Sequence, residues 1–280
     1  MIAEQTSLAT QKFVATVEPR KPLKIVGKQG TEVTFQNLWD KTTFADIKGN
    51  VDIELIEIYD LADFALLNKP TLAEDVNSLK KEKQILESAG SFFVSIKQNG
   101  KEIYANYNLS SRPKQAINRD MMVFIGFPNT ANAEFSWVST RRKAIICADS
   151  MRLGTYCIDF IGNPNTPNWC NLDRYIVQNG TNYALKVQLT SGFGETNAKV
   201  YVNIVGIKTL FPLYHSNNIF STGNYLLQQG LDINIIVIAE DKGELKYAIQ
   251  RTKTQTNGVE NITNLAPISV EVLKQKINAL

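Results

Sequence analysis

The sequence predicts an all-β chain with one inserted helix and a short C-terminal helix. Three observations carry that prediction. First, residues 183–209 alternate in period two: Tyr183, Leu185, Val187 and Leu189 against lysine, glutamine and threonine, then Ala198, Val200, Val202 and Ile204 against Lys199, Tyr201 and Asn203. Such alternation buries one face of each strand and wets the other, and the intervening SGFGETN suits a chain reversal, so an antiparallel pair is expected here. Second, asparagine occurs 26 times in 280 residues, which favours turns over helix interiors. Third, glycine turns such as Asn99-Gly100 sit between apolar runs, as hairpins require.

Taken in order, residues 1–22 are polar and end in Pro19 and Pro22, as an extended arm would. Residues 23–26 and 32–35 are short strand candidates. Residues 51–59 alternate with a bulge-like break at Leu55-Ile56, which puts Asp52, Glu54 and Glu57 on a wet face. The inserted helix is expected over 72–89. Thr71 and Glu74 form a capping box, Leu72, Val76, Leu79 and Leu86 share a stripe, and Gly90 stands at the C-cap. Residues 92–109 form a hairpin around Asn99-Gly100. Strands follow at 121–127, 134–138 and 144–148, and the proline- and asparagine-rich 162–171 reads as a junction. Residues 211–223 look loop-like, 233–239 and 245–249 pair through a glycine turn, and Ser269 caps a last helix carrying Val270, Leu273, Ile277 and Leu280. Segments 96–105 and 238–248 share a strand–turn–strand pattern entering Tyr-Ala, consistent with duplication or with convergence of hairpins.

Chemistry is sparse. An apolar content of 44% supports a core, and no run is apolar enough to span a membrane or to serve as a leader. The net charge of +3 is matched by residues 1–30, where Lys12, Arg20, Lys21, Lys24 and Lys28 outnumber Glu4 and Glu18. These five are the candidate contacts to a polyanion or a membrane. Two further basic clusters are Arg112, Lys114 and Arg119, and Arg141-Arg142-Lys143. Cys147, Cys157 and Cys170 show no CxxC spacing and read as reduced, buried thiols. His215 is the single histidine, and Ser78-x-x-Lys81 and Ser111-x-x-Lys114 lack the other parts of a serine acylase. No catalytic residue, metal ligand or cofactor is expected, which points to a binding or structural protein rather than an enzyme.

This order of elements resembles the major capsid proteins of the double jelly-roll lineage, found in membrane-containing icosahedral phages. The resemblance covers the whole chain as an order of elements and has no diagnostic motif. It implies an arm at 1–22, a first sandwich at 23–155 with the helix at 72–89, a second at 156–267 and a helical tail at 268–280. Strand patterns are sparse between 31 and 60, so a single sandwich with an elaborated N-terminal region stays open. The resemblance further implies a virion protein made in the host cytoplasm, self-assembling as a homotrimer with other virion proteins, its basic arm facing the inner membrane or the genome. The alternatives are another virion component (tail, ring or head decoration), a carbohydrate-binding sandwich using Trp169, Tyr175 and Tyr214, and a hydrolase using Ser111 or His215.

Overall fold

A computed structural model describes residues 2–18, 21–74, 83–128, 135–147, 154–160, 168–178, 180–223, 225, 227–255 and 258–280. Among them the chain is mostly strand, with helices at Ile2–Ala9, Leu61–Leu66 and Val270–Asn278. The all-β fold with a short C-terminal helix follows the sequence prediction. The chain divides into two compact units, Met1–Tyr59 with Ser88–Arg174, and Asp60–Glu87 with Tyr175–Leu280. These differ from the expected halves at 23–155 and 156–267, because 60–87 belongs with the second unit. Thr71 N–H donates to the Leu210 carbonyl at 2.6 Å and Ile176 N–H to the Ile85 carbonyl at 3.0 Å, bonds that no linear reading of the sequence reveals.

The first unit is a two-sheet sandwich. One sheet runs Gln11–Val17, Gly49–Ile58, Lys83–Gln98, Trp169–Tyr175, Met122–Pro128, Phe135–Lys143. The other runs Ile145–Ile146, Tyr156–Phe160, Tyr104–Ser111, Glu32–Trp39, Leu23–Val26. Between them lie Ile53, Leu55, Phe92, Val123 and Leu172 from the first sheet, packed with Val33, Phe35, Leu109 and Ile158 from the second. The predicted extended arm is instead largely built into this sandwich. Gln11–Val17 pairs antiparallel with Gly49–Ile58, because Phe13, Ala15 and Val17 alternate and reach the core. Nor is there a bulge at Leu55-Ile56. The register with 91–97 is unbroken, and the phase is lost because residues 55–58 are buried on both faces. Asp52 is exposed and Glu54 half-exposed, as a wet face requires, whereas Glu57 is buried.

The predicted hairpin at Asn99-Gly100 forms, with Gln98 facing Lys101 and both turn residues at positive φ (51° and 75°). It is brief, however, for Tyr104–Ser111 leaves it to pair with Glu32–Trp39 and Tyr156–Phe160 in the facing sheet.

In the second unit the expected helix over 72–89 is absent from its described ends. Leu72–Glu74 pairs antiparallel with the start of the Lys83–Gln98 strand, Leu72 facing Ile85 and Glu74 facing Lys83, while 75–82 lies outside the described residues. Thr71 does not cap a helix; its hydroxyl donates to the Leu210 carbonyl at 3.2 Å and accepts the Leu210 N–H at 2.7 Å.

The expected pair at 183–209 is also corrected. Lys186–Leu189 and Ala198–Ile204 are strands, but two others stand between them. The order is Val259–Ile262, Lys186–Leu189, Ile219–Ser221, Phe211–Ser216, Ala198–Ile204, Asp232–Asp241, Glu244–Lys253, Ala266–Pro267. Alternation reports which face is buried and leaves the partner unspecified. The stretch 211–223 is a hairpin rather than a loop, turning at Asn217-Asn218 with φ of 52° and 61°.

This sheet rolls over on itself. Its two end strands are separated in sequence by only 263–265, a span of at most about 14 Å. Glu260 of one end strand accepts from Gln250 Nε2 at 2.8 Å and Thr252 Oγ1 at 3.0 Å near the other. Inside are Val187, Val200, Val202, Phe211, Ile235 and Val237. The helices Leu61–Leu66 and Val270–Asn278 meet through Lys274 and Asp63 at 3.1 Å, and through the Ala62 N–H and Asn278 Oδ1 at 2.8 Å. Ser269 caps the second helix as predicted, accepting the Val272 N–H at 3.3 Å, and Leu273 and Ile277 are buried.

Candidate functional site

The first unit presents an edge made of two strands, Gln11–Val17 at the end of one sheet and Leu23–Val26 at the end of the other. Inward residues Phe13, Ala15, Val17, Leu23 and Ile25 pack on the core. The residues between them point out, and they include Val14, 73% exposed, and Val26, 51% exposed. Leu8, on the helix leading into the first strand, is 72% exposed. The opposite end of the five-stranded sheet is Ile145–Ile146, where Ile145 is 57% exposed.

The predicted cations fall along the first edge. Lys12 is exposed and faces Glu54 across the strand pair. Lys21 is paired with Glu18, and Lys24 with Glu32 at 2.9 Å. Lys28 is exposed in the turn after Gly27, its N–H held by Gln11 Oε1 at 2.8 Å. Arg20 lies outside the described residues. The structure therefore brings acids beside three of these lysines, which weakens their pull on a distant anion.

The edge is anchored by Glu57. Its carboxylate accepts from Gln11 Nε2 at 2.8 Å, from the Gln29 N–H at 3.0 Å and from the Thr31 N–H at 2.9 Å. Its carbonyl accepts from Gln29 Nε2 at 3.0 Å. One buried acid thus ties the first strand, the 27–31 turn and the Gly49–Ile58 strand together, a role that alternation could not disclose. Beside it the Tyr59 hydroxyl bonds Thr31 Oγ1 at 2.7 Å and Ser111 Oγ at 2.8 Å. Burial pushes the Tyr59 phenol up to about 12, so it is neutral at ordinary pH.

The other candidate residues have packing partners. Ser111 is buried in that hydroxyl chain, and the His215 ring lies 4.8 Å from Phe220. Ser78 and Lys81 are outside the described residues. Trp169 is walled by Phe93 at 5.3 Å, Phe135 at 5.9 Å and Trp137 at 6.5 Å, and Gly126 supplies the space that Phe135 and Trp137 fill. Tyr175 ends the Trp169–Tyr175 strand. The Tyr214 hydroxyl accepts from Lys83 Nζ at 2.6 Å.

The cysteines differ from the sequence expectation of three reduced thiols. Cys147 and Cys157 form a disulfide, their α-carbons 5.3 Å apart, because the Ile145–Ile146 and Tyr156–Phe160 strands are adjacent and bring them together diagonally. Only Cys170 is a thiol, buried and with its pKa pushed up by desolvation.

Two clefts stand out. One of about 290 Å³ opens beside the edge, floored by Val17, Phe35, Leu38 and Ile47 and rimmed by Lys21 and Lys48. The other, of about 230 Å³, lies between Asn203, Ile207 and the C-terminal Ile277 and Leu280. Both are at or below the lower limit of ordinary ligand pockets. Among the described residues no group of three or more histidine, cysteine, aspartate or glutamate side chains could hold a metal ion. None of the described helices is long and apolar enough to cross a membrane. No protein-family model and no curated protein matches this chain.

Proposed function

We propose that this chain is a virion structural protein, a self-assembling major capsid subunit that associates through the edges of its first sandwich. The observation that carries the reading is the pair of apolar-flanked strand edges, Val14 and Val26 on one side and Ile145 on the other. Exposed aliphatics beside open strands are what monomeric sandwiches avoid and what chain-to-chain contacts use. Edges on opposite sides of one sheet suit head-to-tail contact, which closes into rings such as trimers when the rotation permits. The all-β architecture is compatible with the same reading.

Size-exclusion chromatography with light scattering, followed by electron microscopy of the assembled fraction, tests it. Trimers or larger regular shells are expected. A chain that stays monomeric at every concentration and salt condition overturns the reading.

A further inference from the structure

We infer that a second basic surface, distinct from the N-terminal lysines, binds the phosphate backbone of nucleic acid. It lies in the first unit and is assembled from two stretches about twenty residues apart in sequence. Lys143 faces Met122 in the strand register, the Ala144 N–H donates to the Met121 carbonyl at 2.8 Å, and Lys143 Nζ reaches Asp120 at 3.6 Å. Arg119 therefore lies one residue from the Asp120 that Lys143 reaches, and Arg119, Arg141, Arg142 and Lys143 are all exposed, with Asp120 the acid among them. Arg112 follows Ser111, which faces Tyr156, which in turn faces Ile146. Arg112 thus continues past that row, away from the Asn108–Asp159 row that Arg142 reaches, and stands outside the cluster.

The local backbone is shaped to present these charges. Between the Ser139–Phe124 and Lys143–Met122 pairs, residues 140–142 oppose Val123 alone, so the strand bulges outward. Thr140 Oγ1 donates to the Val123 carbonyl at 2.7 Å, and the Arg141 N–H is taken by Ser139 Oγ at 3.0 Å. Arg141 stands at a φ of 61°, a conformation that glycine or asparagine adopts at lower cost. An arginine kept there is the kind of local strain that functional surfaces retain. Arg142 is aimed by its bond to the Asp159 carbonyl at 3.1 Å.

Guanidinium groups bind phosphate through two parallel N–H bonds, which neighbouring arginines such as Arg141 and Arg142 can repeat along a polyanion. Among the described residues Ile145 is the one large aliphatic side chain exposed beside the cluster, less than an interfacial membrane anchor brings. Nucleic acid is therefore the favoured partner. The inference rests on this surface and does not require the assembly reading.

The test is fluorescence anisotropy of the full chain with a short labelled DNA duplex across a salt series, compared with R119A/R141G/R142A/K143A and with K12A/K24A/K28A. The wild type should bind at low salt and weaken as salt rises. The quadruple variant should bind at least about tenfold more weakly, with a salt slope shallower by about 3 to 4, while the N-terminal triple variant keeps both. Should the quadruple variant melt early, R141G alone decides the matter. Glycine is at ease at that φ, so this variant should fold and lower the slope by about 1. The inference is overturned by absent DNA binding, by binding that these arginine variants leave unchanged, or by binding to phosphatidylserine vesicles without binding to DNA. Light scattering on the same samples reports assembly separately.

Discussion

Gly27 lies directly against the carboxylate of Glu57, so close that a β-carbon on residue 27 would overlap that carboxylate. The contact exists because Glu57 turns inward to hold the Thr31 and Gln29 N–H groups that follow the glycine. Gly27→Ala should therefore destabilise the first unit by about 1–3 kcal/mol, and Glu57→Ala by about 2–4 kcal/mol through donors left buried without a partner. The double variant should cost less than the sum, since the overlap needs both groups. Denaturant titration of the four proteins checks this, and strict additivity would contradict it.

Tyr59 gives the same region a pH dependence. Burial is the largest cause of its phenol rising from 10.0 to about 12. The folded state keeps this proton where the unfolded state loses it, so the contribution is whole below about pH 10 and is lost as pH climbs through about 12. That loss is on the order of 2–3 kcal/mol. Tyr59→Phe should flatten this part of the stability curve, while costing about 1–3 kcal/mol at neutral pH because Thr31 and Ser111 lose their shared partner. Melting curves at alkaline pH for both proteins measure the difference.

The disulfide and the lone thiol make a joint prediction. Under denaturing conditions without reductant, thiol titration should find one reactive cysteine, Cys170, and after reduction all three. In the native protein Cys170 should be silent, because its burial disfavours the thiolate. Replacing Cys147 and Cys157 by serine should cost about 2–3 kcal/mol, the scale expected for a closed loop of ten residues. Non-reducing peptide mapping that links Cys170 to either partner would contradict the assignment.

Charging the exposed edge should separate assembly from folding. Val14→Lys with Val26→Lys places cations at sites 73% and 51% exposed, so melting should shift by less than about 0.5 kcal/mol equivalent. The light-scattering mass should nonetheless fall to that of a single chain. An unchanged assembly would move the contact surface elsewhere.

What could be read from the sequence follows the range of the interactions involved. The C-terminal helix is legible because Ser269 and Leu273 act within one turn of each other. The Asn99-Gly100 turn is legible because its conformation resides in two residues, and Asn217-Asn218 carries a similar local signal. At the described ends of 72–89 the capping signal misleads, because the Thr71 hydroxyl serves Leu210, 139 positions away, and Leu72 faces Ile85 across a strand pair. Ile85, Leu86, Ala89 and Phe92 are all buried, which erases the period that marks a strand with one wet face. Likewise, the buried role of Glu57 depends on Gln11 and Thr31, and the approach of Asp120 to Lys143 depends on a register set by a bulge. Neither has a signature at short range.

The chain passes between its two units at 59/60, 87/88 and 174/175, and this ordering has a consequence for synthesis. A nascent chain that has reached Arg174 holds every residue of the first unit, yet already carries 60–87 as an excursion whose partners Ile176, Tyr201 and Leu210 do not yet exist. Leu61, Phe64, Leu66 and Leu72, buried in the finished protein, have no second-unit core to enter until translation has moved well past residue 200. Through that interval a hydrophobic segment waits on the ribosome, exposed to chaperones and to neighbouring nascent chains. Expression yield should therefore depend on elongation rate across 175–240 more than on the final stability of the fold.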